Sequence, residues 1–552
     1  MGDYMKVLFV YMKQFKGKLM IAVSLLIVLS ALSVIPALLI KNIFDKGISQ
    51  SDFGYVVRLG LILAVIYIVK STLNYLSNVV FTNVSQNILL NLRTDISSKL
   101  LNSPMDFFGL YSSGYLTSRL NEVNAIGGLI SANTFKVILS FFELIATFII
   151  LININIKLTL ILCLLMPVYY FISNRYLLSI HRISLDAAEK SSILNEKIQQ
   201  SVQGIEEVKH LSVEDKETKK INTATKDLVN TSIKQSILYS VGIELIVLLG
   251  TLSSVLLIIL GGRDVITSGM TLGGYMVFMN YLPKMYAPVQ SISTTALTIQ
   301  PALASLKRLH IFLDQVGEYD DDKNKVDSIH KIEFRNVSFR YNEEQEHVIK
   351  NVKFSLSSGD KLLIKGENGS GKTTVFRLVT GLYQLKENNG DILINGVSIS
   401  TLDRRSLRKK VAVVSQKIYL FNNTIENNIK YGAEHIEIME YEKVLRITGL
   451  DRIMESFPEK NNKMIEENGK NLSGGQIQRI AIARALLKGA NVLLFDEAVS
   501  HMDHEGKNSI KELIQHQLSD HICLIIDHGK EFDDVCNKEL MLEKPTVIHS
   551  EV

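Results

Sequence analysis

Apolar residues gather in six long stretches of the chain's first half, at roughly 19–40, 55–81, 129–152, 158–172, 241–260 and 272–292. An α-helix needs about 20 such residues to cross a bilayer, so the pattern predicts six membrane spans, the fourth being the shortest. The connections 41–54, 153–157 and 261–271 are short, whereas 82–128 and 173–240 are long, polar and helix-prone. Within the longer one, Ile193, Leu194, Ile198, Val202, Ile205 and Val208 recur at helical spacing, which predicts that the membrane helices continue into water as a stalk. A solvated amphipathic hairpin is the plainer reading of the same pattern. Beyond Leu313 the texture changes through "DQVGEYDDDKNKVDS", an acidic linker with no apolar period. "KIEFRNVSFRY" then alternates like a strand, while "KLLIKG", "NVLLFDE" and "ICLIIDH" are short apolar runs suited to buried strands. Helical segments between them argue for a parallel sheet. The chain therefore divides into an all-α membrane domain at 1–314, a linker at 315–330 and a soluble α/β domain at 331–552.

Composition sharpens this division. With 47% hydrophobic and 21% charged residues among 552, the mean hydropathy of +0.18 averages two unlike halves. A net charge of +4 is too small for a nucleic-acid footprint, and no nucleic-acid partner is expected. The basic residues Lys6, Lys13, Lys16 and Lys18 precede the first span, and Arg93, Lys99, Arg119, Arg182, Lys190, Lys209, Lys219 and Lys220 crowd the long connections. That bias places both termini and both long connections in the cytoplasm. The first apolar run is too long for a signal-peptide core and stays in the membrane. Cys163, Cys523 and Cys536 are too few and too scattered for a disulfide framework or a zinc site, and are read as reduced and structural.

The candidate chemistry lies in the second half. "LLIKGENGSGKTTVFRLV" runs through Gly366, Glu367, Asn368, Gly369, Ser370, Gly371, Lys372, Thr373 and Thr374 with G-x-x-x-x-G-K-[ST] spacing, after a strand and before a helix. Glycines let backbone N–H groups approach phosphate oxygens, Lys372 reaches the outer phosphates and Thr373 offers a hydroxyl to Mg²⁺. "NVLLFDE" delivers Asp496 and Glu497 from a strand end, one suited to Mg²⁺ and the other to orienting water. Acidic residues commonly end strands, so this pair carries weight only beside the phosphate loop. Further on, Ser473 and Gln476 form an S-x-x-Q capping box. Gly474 and Gly475 in its first turn cost about 1 kcal/mol each against Ala, which suits a helix start that an anion must approach closely.

On these ordered motifs nearly the whole chain resembles an ABC exporter half-transporter, in which six membrane helices precede one ATP-binding cassette with a P-loop NTPase fold. The resemblance implies ATP and Mg²⁺ as ligands and ATP hydrolysis coupled to transport. It implies that Tyr341 stacks on adenine, that Gln416 in "VVSQ" joins Mg²⁺ to the membrane interface, and that Asp503 and the switch residue His528 complete the site with Glu497 and Lys372. Residues 472–476, "LSGGQ", match the family signature, which faces nucleotide held by a partner subunit, so a second half-transporter is implied, with a homodimer favoured over a heterodimer. Metal contacts fall on Thr373, Gln416 and Asp496. Stretches 107–114 and 207–215 match the helical tips that dock on the cassettes. The chain departs from the family at Val499, His501, Met502, Asp527 and Gly529. His501 is either a contact across the dimer or a plain surface residue, and the second reading is favoured.

Cargo is sought in the spans. Lys70, Asn74 and Asn78 recur at i, i+4 and i+8, and Glu143, Glu244, Asn280 and Lys284 are further polar groups there. Charges near a bilayer centre avoid lipid. Lys70 and Glu143 fall at comparable depth, as do Glu244 and Lys284. These groups either line a polar translocation cavity or pair between helices to stabilise the bundle. The expected function is ATP-driven export of an amphipathic molecule across a bacterial cytoplasmic membrane, a peptide natural product or drug-like compound being preferred to a lipid. A lipid flippase of the same build, one half of a heterodimeric exporter, and an ATP-gated channel or regulator are the alternatives.

Overall fold

A computed structural model describes residues 3–544, apart from 112, 314–316, 319–322, 344–345, 387, 434, 467–468, 528 and 530. The expected switch residue His528 therefore lies outside the described residues, as does part of the 315–330 linker. The chain folds into two compact units, Met1–Ser98 with Gly114–Asp314, and Lys99–Ser113 with Gln315–Val552. A helical tip between the second and third apolar stretches thus belongs to the second unit.

In the first unit, five helical segments among the described residues are long and apolar enough to cross a membrane: Lys16–Ile48, Phe53–Leu101, Gly114–Ile154, Ile156–Gln203 and Glu214–Ile266. A further helix, Leu272–Leu313, carries the apolar stretch 272–292. Glu214–Ile266 has 53 residues. At about 1.5 Å per residue it is more than twice as long as the ~30 Å hydrocarbon layer, so over half of it stands outside. There it pairs with the end of Met166–Gln203 through polar contacts, Lys190 Nζ donating to Thr231 Oγ1 at 2.7 Å and Ser201 Oγ to Glu217 Oε2 at 3.0 Å. The apolar stripe at Ile198, Val202 and Ile205 remains exposed in the single chain. Leu151, Leu158, Leu257, Val277, Phe278 and Met285 form the buried core of the bundle, while Ile68, Phe171 and Ile259 face outward as lipid-facing residues do.

The first span is broken. Lys16–Leu32 ends and Ile35–Asn42 restarts with Pro36 in its first turn. Proline has no N–H and its ring clashes with the carbonyl one turn back, so backbone groups are set free inside the bundle. Tyr281 repairs the break: its hydroxyl accepts from Ala37 N–H at 3.0 Å and donates to Ser33 O at 2.6 Å. Lys284 Nζ donates to the same carbonyl at 3.1 Å and sits 3.8 Å from the centre of the Tyr281 ring.

The second unit carries two sheets. Strands β1 (Lys331–Phe339), β2 (Ile349–Ser357), β4 (Asp391–Ile394) and β5 (Val397–Ser398) pair antiparallel in the order β2-β1-β4-β5. Asn395 and Gly396, both at positive φ, make the tight turn between β4 and β5. Strands β3 (Lys361–Gly366), β6 (Val411–Val414), β7 (Val492–Asp496), β8 (Ile522–Ile526) and β9 (Lys538–Leu542) form a sheet ordered β6-β7-β8-β3-β9, parallel at every pairing. Every residue of β7 and β8 is buried, as expected for strands covered on both faces. Because β3 and β7 are parallel, the loop after β3 and the carboxylates after β7 emerge at the same edge, where open α/β sheets bind ligands.

Candidate functional site

The loop after β3 leads into the helix Lys372–Val379. Gly366, Gly369 and Gly371 have φ of 148°, 84° and 94°. Side chains are unwelcome for a second reason at two of them. A Cβ at Gly366 would run into the Leu542 carbonyl, and one at Gly371 into the Ile349 side chain. The backbone N–H groups therefore stand bare at a helix start, the arrangement that cradles phosphate. Lys372 is nearly buried and its ammonium folds back on Gly366 O at 2.7 Å and Glu367 O at 3.0 Å. Ser370 Oγ is buried with no hydrogen-bond partner.

Thr373 Oγ1 donates to Asp496 Oδ2 at 3.1 Å, bringing together two of the three residues expected at Mg²⁺. Burial raises the Asp496 carboxyl above the ordinary range and the neighbouring Glu497 adds to this, while the Thr373 hydrogen bond works against it. Glu497 turns off the strand at φ 50°, a left-handed conformation costly for a residue with a Cβ, with its N–H held by Ile526 O at 3.0 Å. Gln416 Nε2 donates to Glu497 Oε2 at 2.8 Å. Tyr341 packs edge-on to Tyr383 at 5.0 Å, and its hydroxyl meets Thr374 Oγ1 and Arg377 Nη1, each at 2.9 Å. These groups surround one cavity of about 560 Å³, whose wall includes Tyr341, Asn368, Lys372, Thr373, Gln416, Asp496 and Glu497. Arg377 and Val348 also line it, and sequence reasoning missed both. Arg377 was legible, since it lies four residues after Thr373 on the same helix face.

The helix Gly474–Leu487 begins with the expected capping box: Ser473 N–H donates to Gln476 Oε1 at 2.9 Å, and Gln476 N–H to Ser473 Oγ at 3.3 Å. Its glycines also answer a packing demand. A Cβ on Gly475 would lie 3.1 Å from His501 O, and one on Gly474 3.4 Å from the His501 side chain. His501, itself exposed, thus lies against the helix start, and its N–H donates to Gln478 Oε1 at 3.0 Å. Asp503 caps the helix His504–Glu512 and pairs with Arg479 at 2.9 Å. None of residues 473–476 lines the cavity around the phosphate loop of the same chain.

Residues 19–289 match the ABC transporter transmembrane region family, and residues 349–500 match the ABC transporter family. The chain belongs to the ABC transporters. Both regions in one chain make it an exporter-type half-transporter, and its cassette is an ATPase that couples hydrolysis to transport. This ABC exporter is 29% identical to the ATP-dependent lipid A-core flippase of Desulfotalea psychrophila, over 93% of this chain and 90% of that protein. The flippase of the same name from Haemophilus influenzae is 28% identical over 89% of this chain and 84% of its own length. A Bacillus subtilis protein provisionally named a multidrug export ATP-binding/permease protein, YgaD, is 25% identical over 98% and 94%. A solved structure of a bacterial Atm1-family ABC exporter with ATP bound shares the fold, with a TM-score of 0.83 over 96% of this chain and 95% of that one at 22% identity.

In the membrane unit of the exporter, Lys70, Asn74 and Glu143 line a second cavity of about 560 Å³. Lys136, Tyr67, Ser71, Ser140 and Ser291 join them, with Leu26, Leu29, Leu139 and Ala287 as the apolar wall. Asn78 lies beside this group and accepts from Lys136 Nζ at 3.4 Å. The other expected members do not line it, though Lys284 stands within electrostatic reach of Lys70 and Glu143. Lys284 is engaged at the break in the first span, Asn280 Nδ2 donates to Met276 O at 2.9 Å in its own helix, and Glu244 is exposed. The expected Glu244 and Lys284 association is not among the ion pairs of the described residues. Lys136 was the notable omission, and its position seven residues before Glu143, on the same helical face, was the available signal.

Proposed function

We propose that this ABC exporter works as a homodimer in a bacterial cytoplasmic membrane, with its cassettes in the cytoplasm, and moves an amphiphile whose head carries negative charge. The observation that carries the cargo reading is the membrane cavity. Lys70 and Lys136 outnumber Glu143 in it, and leucine, tyrosine and alanine side chains stand beside the charges. A molecule with an anionic head and an apolar body answers both surfaces. This favours a lipid over the peptide or drug-like compound preferred from sequence, and relatives named as lipid A-core flippases support the same choice.

ATP binds through the bare N–H groups of 366–373, with Lys372 released from its loop carbonyls onto the outer phosphates and Tyr341 against the base. Thr373, Asp496 and Gln416 would hold Mg²⁺, which neutralises developing charge on the phosphate oxygens. Glu497 orients the attacking water and Gln416 positions Glu497. Ser473 and the N–H groups of Gly474 and Gly475 close the site from the second copy, a role supported by their exclusion from the phosphate cavity of their own chain and by the exposed stripe at Ile198, Val202 and Ile205.

The test is ATPase activity of the purified chain in nanodiscs of zwitterionic lipid, with and without an added acidic glycolipid, and with Glu497→Gln as a dead control. The glycolipid is expected to stimulate hydrolysis, and Lys70→Met with Lys136→Met is expected to lower the ratio of stimulated to basal rate towards one. A ratio that survives the double substitution refutes the anionic cargo.

A further inference from the structure

The second unit contains a buried ion-pair cluster that nucleotide chemistry does not use. Glu318 is 5% exposed at its side chain, and both of its carboxylate oxygens are engaged by guanidinium groups. Arg404 Nη1 donates to Oε1 at 2.8 Å, and Arg408 Nη1 donates to Oε2 at 2.7 Å. Burial alone would raise the Glu318 carboxyl, yet the two arginines outweigh it and hold it below the ordinary glutamate range.

The neighbours of this cluster lie in two directions. Towards the nucleotide, Arg408 Nε donates to Thr380 O at 3.1 Å and Nη2 to Gly381 O at 2.9 Å. Thr380 is the C-cap of the phosphate-loop helix Lys372–Val379, so one guanidinium occupies the carbonyl end of the helix whose other end cradles phosphate. Towards the membrane, Glu318 N–H donates to Asn102 O at 2.6 Å, one residue beyond the long helix Phe53–Leu101. Asp106, in the short helix Met105–Leu110, faces Arg404 and Lys386 as well. The chain after Glu318 is strapped along the same arginine-bearing segment: Lys323 Nζ donates to Ser400 O at 3.0 Å, Asp403 N–H to Asn324 O at 2.8 Å and Val326 N–H to Ser406 Oγ at 3.0 Å.

We propose that Glu318 is a positioning residue that joins the end of the phosphate-loop helix, through Arg408, to the tip of the Phe53–Leu101 helix at Asn102, so that nucleotide binding moves that membrane helix. The relay has three links, each a hydrogen bond between named groups, and its central member is a buried carboxylate with both oxygens spoken for. Removing its charge leaves two guanidinium groups without their shared anion, which loosens the joint while the phosphate loop keeps every contact of its own. Glu318 does not line the cavity around the phosphate loop. The proposal rests on the reading that ATP drives the membrane helices.

Hydrogen–deuterium exchange on the full chain in lipid nanodiscs tests it, with Mg-ATP and vanadate as the probe. In the wild type, nucleotide is expected to protect residues 361–380 and to change exchange in 80–101. If 80–101 does not respond in the wild type, the driving reading itself fails, and the proposal falls with it before any variant is made. Glu318→Gln is expected to keep the protection at 361–380 and basal ATPase within about twofold, while the response at 80–101 falls at least about fivefold. Glu318→Asp, which keeps the charge on a shorter arm, is expected to restore most of that response. A full response at 80–101 in Glu318→Gln overturns the proposal, and so does loss of protection at both segments together, which would mark a general loosening of the fold.

Discussion

Asp496 carries a cost to folding stability at the strand end where the proposed Mg²⁺ site lies. Its carboxyl is buried and raised above the ordinary aspartate range, so ionising it costs the folded state more than the unfolded one. Below the unfolded value both states are protonated and the cost is absent; it grows as pH rises from the unfolded value to the folded one and is fully present above the folded value. Asp496→Asn is therefore expected to raise the thermal unfolding temperature of the nucleotide-free protein at pH 7.5 and to lose that gain near pH 4. The same variant is expected to abolish the extra stabilisation that Mg²⁺ adds to ATP, measured by unfolding with and without EDTA. Glu497 illustrates a related trade in the backbone, since its φ of 50° aims a carboxylate off the strand end at a local cost on the order of 1 kcal/mol.

Elements carry the next set of constraints. At the break around Pro36, Tyr281 adds a second partner to the Ala37 amide, which also donates to Val34 O at 3.2 Å, and to the Ser33 carbonyl, from a helix more than two hundred residues away. Tyr281→Phe removes the hydroxyl and little else. It is expected to destabilise the protein in detergent by about 1 kcal/mol, read by thermal unfolding, because buried hydrogen bonds are lost while Ala37 N–H keeps Val34 O at 3.2 Å and Ser33 O keeps Lys284 Nζ at 3.1 Å. The signature helix shows an element serving two masters. The sequence reads Gly475 as a place where an anion would come close, but its tight approach to His501 O is a packing demand that no local pattern announces. His501, read from sequence as a plain surface residue, is exposed, and its backbone carbonyl and ring come against that helix start.

For the whole molecule, the question is where the second half of each nucleotide site comes from. Pairing a chain bearing Lys372→Ala with one bearing Ser473→Arg decides it. Each homodimer is damaged at both sites, whereas the mixed dimer keeps one site built from an intact phosphate loop and an intact signature. Mixed dimers isolated through two affinity tags are expected to recover up to half the wild-type hydrolysis rate. No recovery would mean that each chain completes its own site. The two units also show how unevenly scale is written into sequence. The phosphate loop, the strands β3 and β7 and the capping box were all legible, since each depends on residues a few positions apart and on fixed helix or strand periodicity. The membrane cavity was legible only in part: Lys70, Asn74 and Glu143 were found, Lys136 was missed, and Lys284, expected in the cavity wall, donates to Ser33 O beside it.

The sequence by itself determined the apolar spans, the family and the residues of the phosphate loop, because hydropathy and motif spacing act over one or two turns of chain. Only the tertiary structure decided which polar groups in the spans share a cavity, what repairs the broken first helix and how Glu318 joins two distant segments. Those outcomes depend on which helix faces are buried against each other. A buried polar group takes whatever partner packing brings within hydrogen-bonding reach, and that partner is separated from it in sequence by distances that no local period encodes.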